Sequence, residues 1–199
     1  MKRTDVINLI IEKFKYKTYL EIGVKNPAGN FDKIKISQKD GVDPKWRQSP
    51  VAGNKHEMTS DEYFKKFHRG YDIIFIDGLH HHIQTDKDFS NSLNCLNLNG
   101  TIVLHDCNPT EKAMQDQPRK VSRWTGDVWK TILRLKCTNP NVEIFTVDVD
   151  YGCCVVRRGR QKTLKLNPDK CMEWDFFEKN KMKILNLIGI EEFKLWLKN

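Results

Sequence analysis

Nothing in the chain approaches the roughly 20 consecutive apolar residues that a bilayer-spanning helix requires. The first stretch, MKRTDVINLIIEKFKYK, breaks its short apolar run with charge and is expected to be an amphipathic helix rather than a signal peptide. The cysteines at 95, 107, 137, 153, 154 and 171 form no CxxC and no zinc-ribbon spacing, so they are expected to be reduced thiols in a cytoplasmic protein. Cys153 and Cys154 are adjacent in an apparent strand and should point to opposite faces rather than bond to each other. GxGxxG is also missing, which sets aside a nicotinamide-dependent oxidoreductase, because a dinucleotide pyrophosphate needs those glycines. There is no internal repeat, low-complexity segment or linker.

What is present is enough apolar and aromatic material, in 199 residues, to bury a sizeable core in one domain of ordinary size. The net charge of +8 invites a nucleic-acid reading. The lysines are scattered, however, and the one dense run, RRGRQK at 157–162, follows an apparent strand and reads as a solvated turn. RNA binding is therefore a minor expectation.

Elements alternate along the chain. Residues 4–16 place Val6, Leu9, Ile10 and Phe14 at helical spacing, TYLEIGV at 18–24 is a short apolar strand, and NFDKI suggests a helix starting after a glycine. A weak strand precedes GVDP at 41–44, a loop rich in Pro and Gly follows, and in MTSDEYFKKF at 58–67 Ser60 can cap a helix that opens with acids. YDIIFID at 71–77 is the strongest strand. DKDFSNSLNCLNL is a helix with Phe89, Leu93 and Leu96 on one side, and NGTIVLHD is a further buried strand. The polar, Pro-containing segment 108–128 suits a loop lying over a site. A helix, VWKTILRLK, then leads to NVEIFTVDVD and YGCCVVRR, which read as a hairpin. The tail from 170 to 199 carries Trp174, Phe177, Leu185, Phe193 and Trp196 and is expected to pack as one or two helices. This layout predicts an α/β fold, a Rossmann-like doubly wound sheet of seven strands with an antiparallel last strand. It is taken as a single domain over 1–199, with a core at about 18–158 and a helical extension at about 170–199.

Apolar runs that end in polar clusters mark the carboxyl edge of a parallel sheet, where ligands bind. Asp43 ends a strand where a carboxylate can accept two ribose hydroxyls, and Gly23, without a Cβ, lets the backbone approach a ligand. Which nucleotide is bound stays open on these residues alone. Asp77 and Asp106 close two strands that should be neighbours, and two acids at that edge can share a divalent cation. The alternative is that Asp106 caps the following loop while Asp77 orients a cofactor amine or the turn.

LEIGVKNPAGNF resembles the first motif of class I S-adenosylmethionine-dependent methyltransferases, and GVDP is similar to their second. MTSDEYF, FIDGLHH, LNGTIVLHDCNP and WTGDVWK together resemble a small bacterial group of these enzymes associated with sugar or polysaccharide biosynthesis, including the macrocin type. The turn departs from GxGxG, since Val24, Lys25 and Asn26 follow Gly23. The resemblance implies that Glu21 and Gly23 hold the methionine end of S-adenosylmethionine, Asp43 the ribose, and Met58, Thr59 and Ser60 the adenine. It matches Asp77 and Asp106 to metal-ligand positions of metal-dependent O-methyltransferases. Beside Asp106 the expected acid or amide is replaced by His105 and Cys107, with Asn108 one step further; His105 suits a transition metal, whereas Mg²⁺ prefers oxygens. DGLH places His80 as the base for a substrate hydroxyl, with a pKa ordinarily near neutrality, while His81 and His82 begin the next helix. Trp124, Gly126 and Asp127 would lie on the acceptor side, and Trp129 there or in the core of its helix.

The expected activity is methyl transfer to a hydroxyl of a small molecule or sugar, with S-adenosylmethionine and a Mg²⁺ or other divalent cation as candidate cofactors. Neither nucleic acid nor membrane is an expected partner, and a homo-oligomer is left open. The competing readings are an RNA methyltransferase and a non-catalytic methyltransferase-like subunit.

Overall fold

A computed structural model describes residues 1–199. The parallel strands β1 (Thr18–Ile22), β2 (Gln38–Val42), β3 (Asn54–His56), β4 (Tyr71–Ile76) and β5 (Leu96–Leu104) lie in one sheet with β6 (Val142–Val147), β7 (Cys153–Arg158) and β8 (Leu187–Ile188), in the order β3-β2-β1-β4-β5-β7-β6-β8. β7 runs antiparallel to both β5 and β6. The buried runs of β4 and β5 form central strands because each is apolar on both faces.

Helices cover those faces. Leu20, Ile74, Ile102 and Val156 point to one side, where α2 (Ser60–Lys66), α3 (His82–Cys95), α4 (Trp129–Thr138) and α5 (Trp174–Leu185) contribute Phe64, Phe89, Ile132 and Phe177. Tyr19, Ile73, Val103 and Val155 point to the other, against α1 (Arg3–Phe14) and α6 (Ile190–Lys198) through Ile7, Ile10 and Phe193. Cys153 and Cys154 enter opposite cores, as strand alternation requires, and all six thiols are free. Both tail helices therefore help to close the cores, with Phe177 packed 4.4 Å from Trp129. No helix is long and apolar enough to cross a membrane.

Five local expectations change. The segment after β1 forms two short 3-10 turns, Pro27–Gly29 and Phe31–Lys33, instead of a helix. Long-range contacts outweigh its helical signal: Phe31 is fully buried, and the Asn30 side chain donates to Glu21 and accepts from Thr4. The loop rich in Pro and Gly contains β3, held by Asn54 and His56 side chains on the buried Asp40, each at 2.9 Å. Thr59, one residue before Ser60, caps α2: its hydroxyl accepts from the Glu62 N–H and Glu62 reaches back to the Thr59 N–H. Leu96 begins β5 instead of ending α3, and the two-residue β8 adds an eighth strand beside β6.

Candidate active site

Registry builds the site. The ladder extends one residue past β1, β4 and β5: Gly23 N–H donates to Val42, Asp77 N–H to Ile22 and His105 N–H to Ile76. Gly23, Asp77 and His105 thus form a row at the carboxyl edge, and Asp106 follows at φ +57. Gly23 sits at φ +92, where a Cβ would lie 2.1 Å from the Asp77 carbonyl oxygen. A side chain there would push the turn after β1 away from β4.

Two cavities meet along Gly23, Asp43 and Gly78. One, of about 410 Å³, is lined by Asp43, Thr59, Ser60, Asp61, Gln84 and Asp88. The other, of about 500 Å³, is lined by Asp77, His80, Asp106 and Trp124 and by several cations. Asp43 lines both; its oxygens accept from the Lys25 N–H at 2.9 Å and the Lys45 N–H at 2.7 Å, and each has a further lone pair. Burial raises the Asp88 carboxyl to about 6 against the hydrogen bonds from Ser60 and Gln84.

His80 stands between the two strand-end acids. Its Nε2 is 3.1 Å from Asp77 and its Nδ1 is 3.3 Å from Asp106, where it is buried without an aligned hydrogen-bond partner. His105, behind the acids, brings Nδ1 to 3.2 Å from Asp77 and 3.3 Å from Asp106, and Nε2 to 3.5 Å from Asp150. Arg3 of α1 lies 3.3 Å from the His105 ring and pairs with Asp150 at 3.6 Å. Burial opposes charge on every member, but the histidines overcome it at Asp77 and hold that carboxyl well below the usual range. In return, Asp77 and its neighbours raise the pKa of both His80 and His105 against their own desolvation. The hydrogen bond from His105 lowers Asp150 to about 2.

Asp77, His80 and Asp106 bring ligand atoms within 4.8 Å of one another, and the His80 Nδ1 among them has no hydrogen-bond partner. This set of two carboxylates and an imidazole fits a divalent transition ion better than Mg²⁺. His105 was expected among the ligands. It is instead a cation locked to three carboxylates behind the site, where it neutralises the charge that a metal would.

Other expected residues are redistributed. Glu21 lies under the turn after β1, outside both cavity walls, with Oε2 accepting from Tyr19 at 2.5 Å and Asn30 at 2.9 Å. Burial lifts it to about 7. Met58 packs against the core while its neighbours Thr59 and Ser60 line the first cavity. Asn108 donates to Asp148 and steadies the hairpin. Trp124 stacks on His80 with ring centres 5.2 Å apart. Asp127 turns inward to His82, whose Nδ1 is 2.6 Å away and whose N–H donates at 2.7 Å. Gly126, at φ +63, passes so close to the His80 carbonyl that no Cβ would fit. Trp129 is a core residue.

The sheet order, the glycine turn after β1 and the carboxylate after β2 define a class I methyltransferase fold. Residues 28–107 match the family model described as a methyltransferase domain. The chain therefore has the class I methyltransferase fold, with a methyltransferase-domain match over part of its length. Solved structures share the architecture. TomG, an O-methyltransferase of Streptomyces achromogenes solved with SAM, is 12% identical, with 79% of each chain covered and a TM-score of 0.59. An O-methyltransferase of Bacillus cereus, in complex with SAH, is 12% identical over 79% of this chain and 82% of its own, with a TM-score of 0.57. The SAH-bound methyltransferase PaMTH1 of Podospora anserina is 15% identical over 78% and 77%, with a TM-score of 0.59. No curated protein sequence matches the chain.

Proposed function

We propose that the protein transfers the methyl group of S-adenosylmethionine to a hydroxyl of a small molecule or sugar, with His80 as the base. The observation that carries this reading is the position of His80, buried between Asp77 and Asp106 on the wall of the cavity that adjoins the Asp43 cavity. Bound S-adenosylmethionine supplies an electrophilic methyl group on a positively charged sulfur. Asp43 offers its free lone pairs to the two ribose hydroxyls, and Thr59, Ser60, Gln84 and Asp88 face the base. The Gly23 turn admits the amino-acid end. Trp124 presents an aromatic face on which a sugar ring packs, and its contact with His80 aligns the acceptor hydroxyl. As the carbon–oxygen bond forms and the carbon–sulfur bond breaks, the hydroxyl proton passes to the His80 ring, which Asp77 orients through Nε2. Holding the two reactants in line supplies much of the rate.

A divalent cation would be held by Asp77, Asp106 and His80 and would supply Lewis-acid activation of the hydroxyl. His80 would then be a ligand and not the base. The titration that tests the reading uses chelator-treated protein with S-adenosylmethionine and with NAD, each with and without Mn²⁺. Micromolar binding of the former alone is expected, and binding of NAD alone, or of neither, would overturn it. With the base as assigned, turnover survives chelation; a loss restored by Mn²⁺ moves His80 into the ligand set.

A further inference from the structure

At the second cavity Arg3 pairs with Asp150 at 3.6 Å and approaches Asp77 at 4.0 Å. Three further cations line the same cavity, the solvent-exposed Lys25, Arg47 and Arg119, and none of them forms an ion pair. They come from separate loops that are tied in place. The Arg47 N–H donates to the Lys25 carbonyl at 2.7 Å, which sets the turns after β1 and β2 side by side. Arg119 donates from Nε to Val121 at 2.9 Å and from Nη2 to Ser122, and its guanidinium lies 5.9 Å from the Trp124 ring centre. Lys25 holds this position at φ +47, an unusual conformation for a residue with a long side chain.

We propose that the methyl acceptor carries a phosphate or diphosphate group, seated against Arg47, Arg119 and Lys25, with its hydroxyl-bearing part toward Trp124 and His80. The inference rests on the methyl-transfer reading above and names its substrate class. The amino-acid end of bound cofactor brings one carboxylate, which answers at most one of the three cations. The two cations left over suit a doubly charged group, and guanidinium forks match phosphate oxygens in pairs. A sugar phosphate or a nucleoside-diphosphate sugar has this chemistry at one end and hydroxyls at the other.

The test is calorimetric titration of inorganic pyrophosphate, and separately of glucuronate, into the full chain saturated with S-adenosylhomocysteine, at low and high salt. Saturable pyrophosphate binding is expected, tighter than that of glucuronate and weakened by salt. Arg47→Gln and Arg119→Gln, singly and together, should weaken it when each protein is kept saturated with S-adenosylhomocysteine, the pair by about tenfold or more. Lys170→Gln with Lys179→Gln, an equal loss of charge at two exposed positions elsewhere, should leave it unchanged. Four results would overturn the inference and leave methyl transfer standing: no pyrophosphate binding to the saturated protein, glucuronate binding at least as tight, no weakening in the arginine variants, or an equal loss in the lysine control. Failure of S-adenosylhomocysteine itself to bind would remove both.

Discussion

Two histidine–aspartate groups sit a few residues apart in this protein and do opposite things. In the first, His80 lies between Asp77 and Asp106 on a cavity wall, with one ring nitrogen lacking an aligned partner. In the second, His82 meets Asp127 through both its ring and its backbone, and Lys130 and Gln117 take up the same carboxylate at 3.2 Å. Both groups place ligand-type atoms close together. What separates them is satisfaction: Asp127 is a buried acid whose hydrogen bonds pin the start of α3 to the loop before α4, whereas the His80 group lines a cavity with one ring nitrogen unpartnered. Residue type alone does not tell a reactive imidazole from a structural one. An unspent polar atom on a residue that lines a cavity does.

The largest expected effect breaks this comparison if it fails. His80→Ala should lower turnover by about 10²- to 10⁴-fold, the usual contribution of a general base, with S-adenosylhomocysteine affinity little changed by calorimetry. His82→Ala should retain most of its turnover per folded molecule, and equal losses in the two variants would show that the groups do not differ in role. Asp127→Ala should act on stability instead. It leaves the His82 side without its partner and should cost about 2–3 kcal/mol in urea unfolding, against a much smaller change in kcat.

Two buried carboxyls sharpen the same contrast. Asp77, flanked by imidazoles, is held low, whereas Glu21, whose partners Tyr19 and Asn30 are neutral, is pushed by burial to about 7. For Glu21 the folded state therefore keeps its proton where the unfolded chain, with an ordinary glutamate pKa near 4.5, has lost it. Its contribution is fully present below that value and disappears as pH rises through about 7. Stability should fall by about 3 kcal/mol across that window, and Glu21→Gln should flatten the slope measured by denaturation at several pH values. The smallest effect is kinetic. A base must be unprotonated to act, and the neighbouring carboxylates raise the His80 pKa despite its burial. The acid limb of the kcat profile should therefore lie above the ordinary histidine value near 6.5, and a limb at or below that value would mean that another group takes the proton.

Much of the edge was legible in the sequence. Asp77, His80 and Asp106 follow apolar runs and Asp43 a weaker strand, and in a parallel sheet the end of such a strand has one address, the ligand edge. Arg3 and Asp150 were not legible. They meet through an N–H bond of 3.1 Å across 147 positions, and no spacing rule links an amphipathic first helix to a hairpin turn. The same holds for Lys25, Arg47 and Arg119, which look like scattered surface charge until three loops converge. Asp127, which the resemblance places on the acceptor side, is turned by packing toward His82, a partner that no local pattern indicates.

By itself the sequence determined which strands are buried, that they alternate with helices, and which side chains stand at their carboxyl ends, because periodicity and strand termini are local properties. Tertiary structure alone decided that the segment after β1 is not a helix, that a short strand forms in a glycine- and proline-rich loop, that His105 is a buried counter-charge, and which histidine stays free to react. Those outcomes depend on partners far away in the chain, since burial, charge pairing and spent hydrogen bonds belong to neighbourhoods and not to segments.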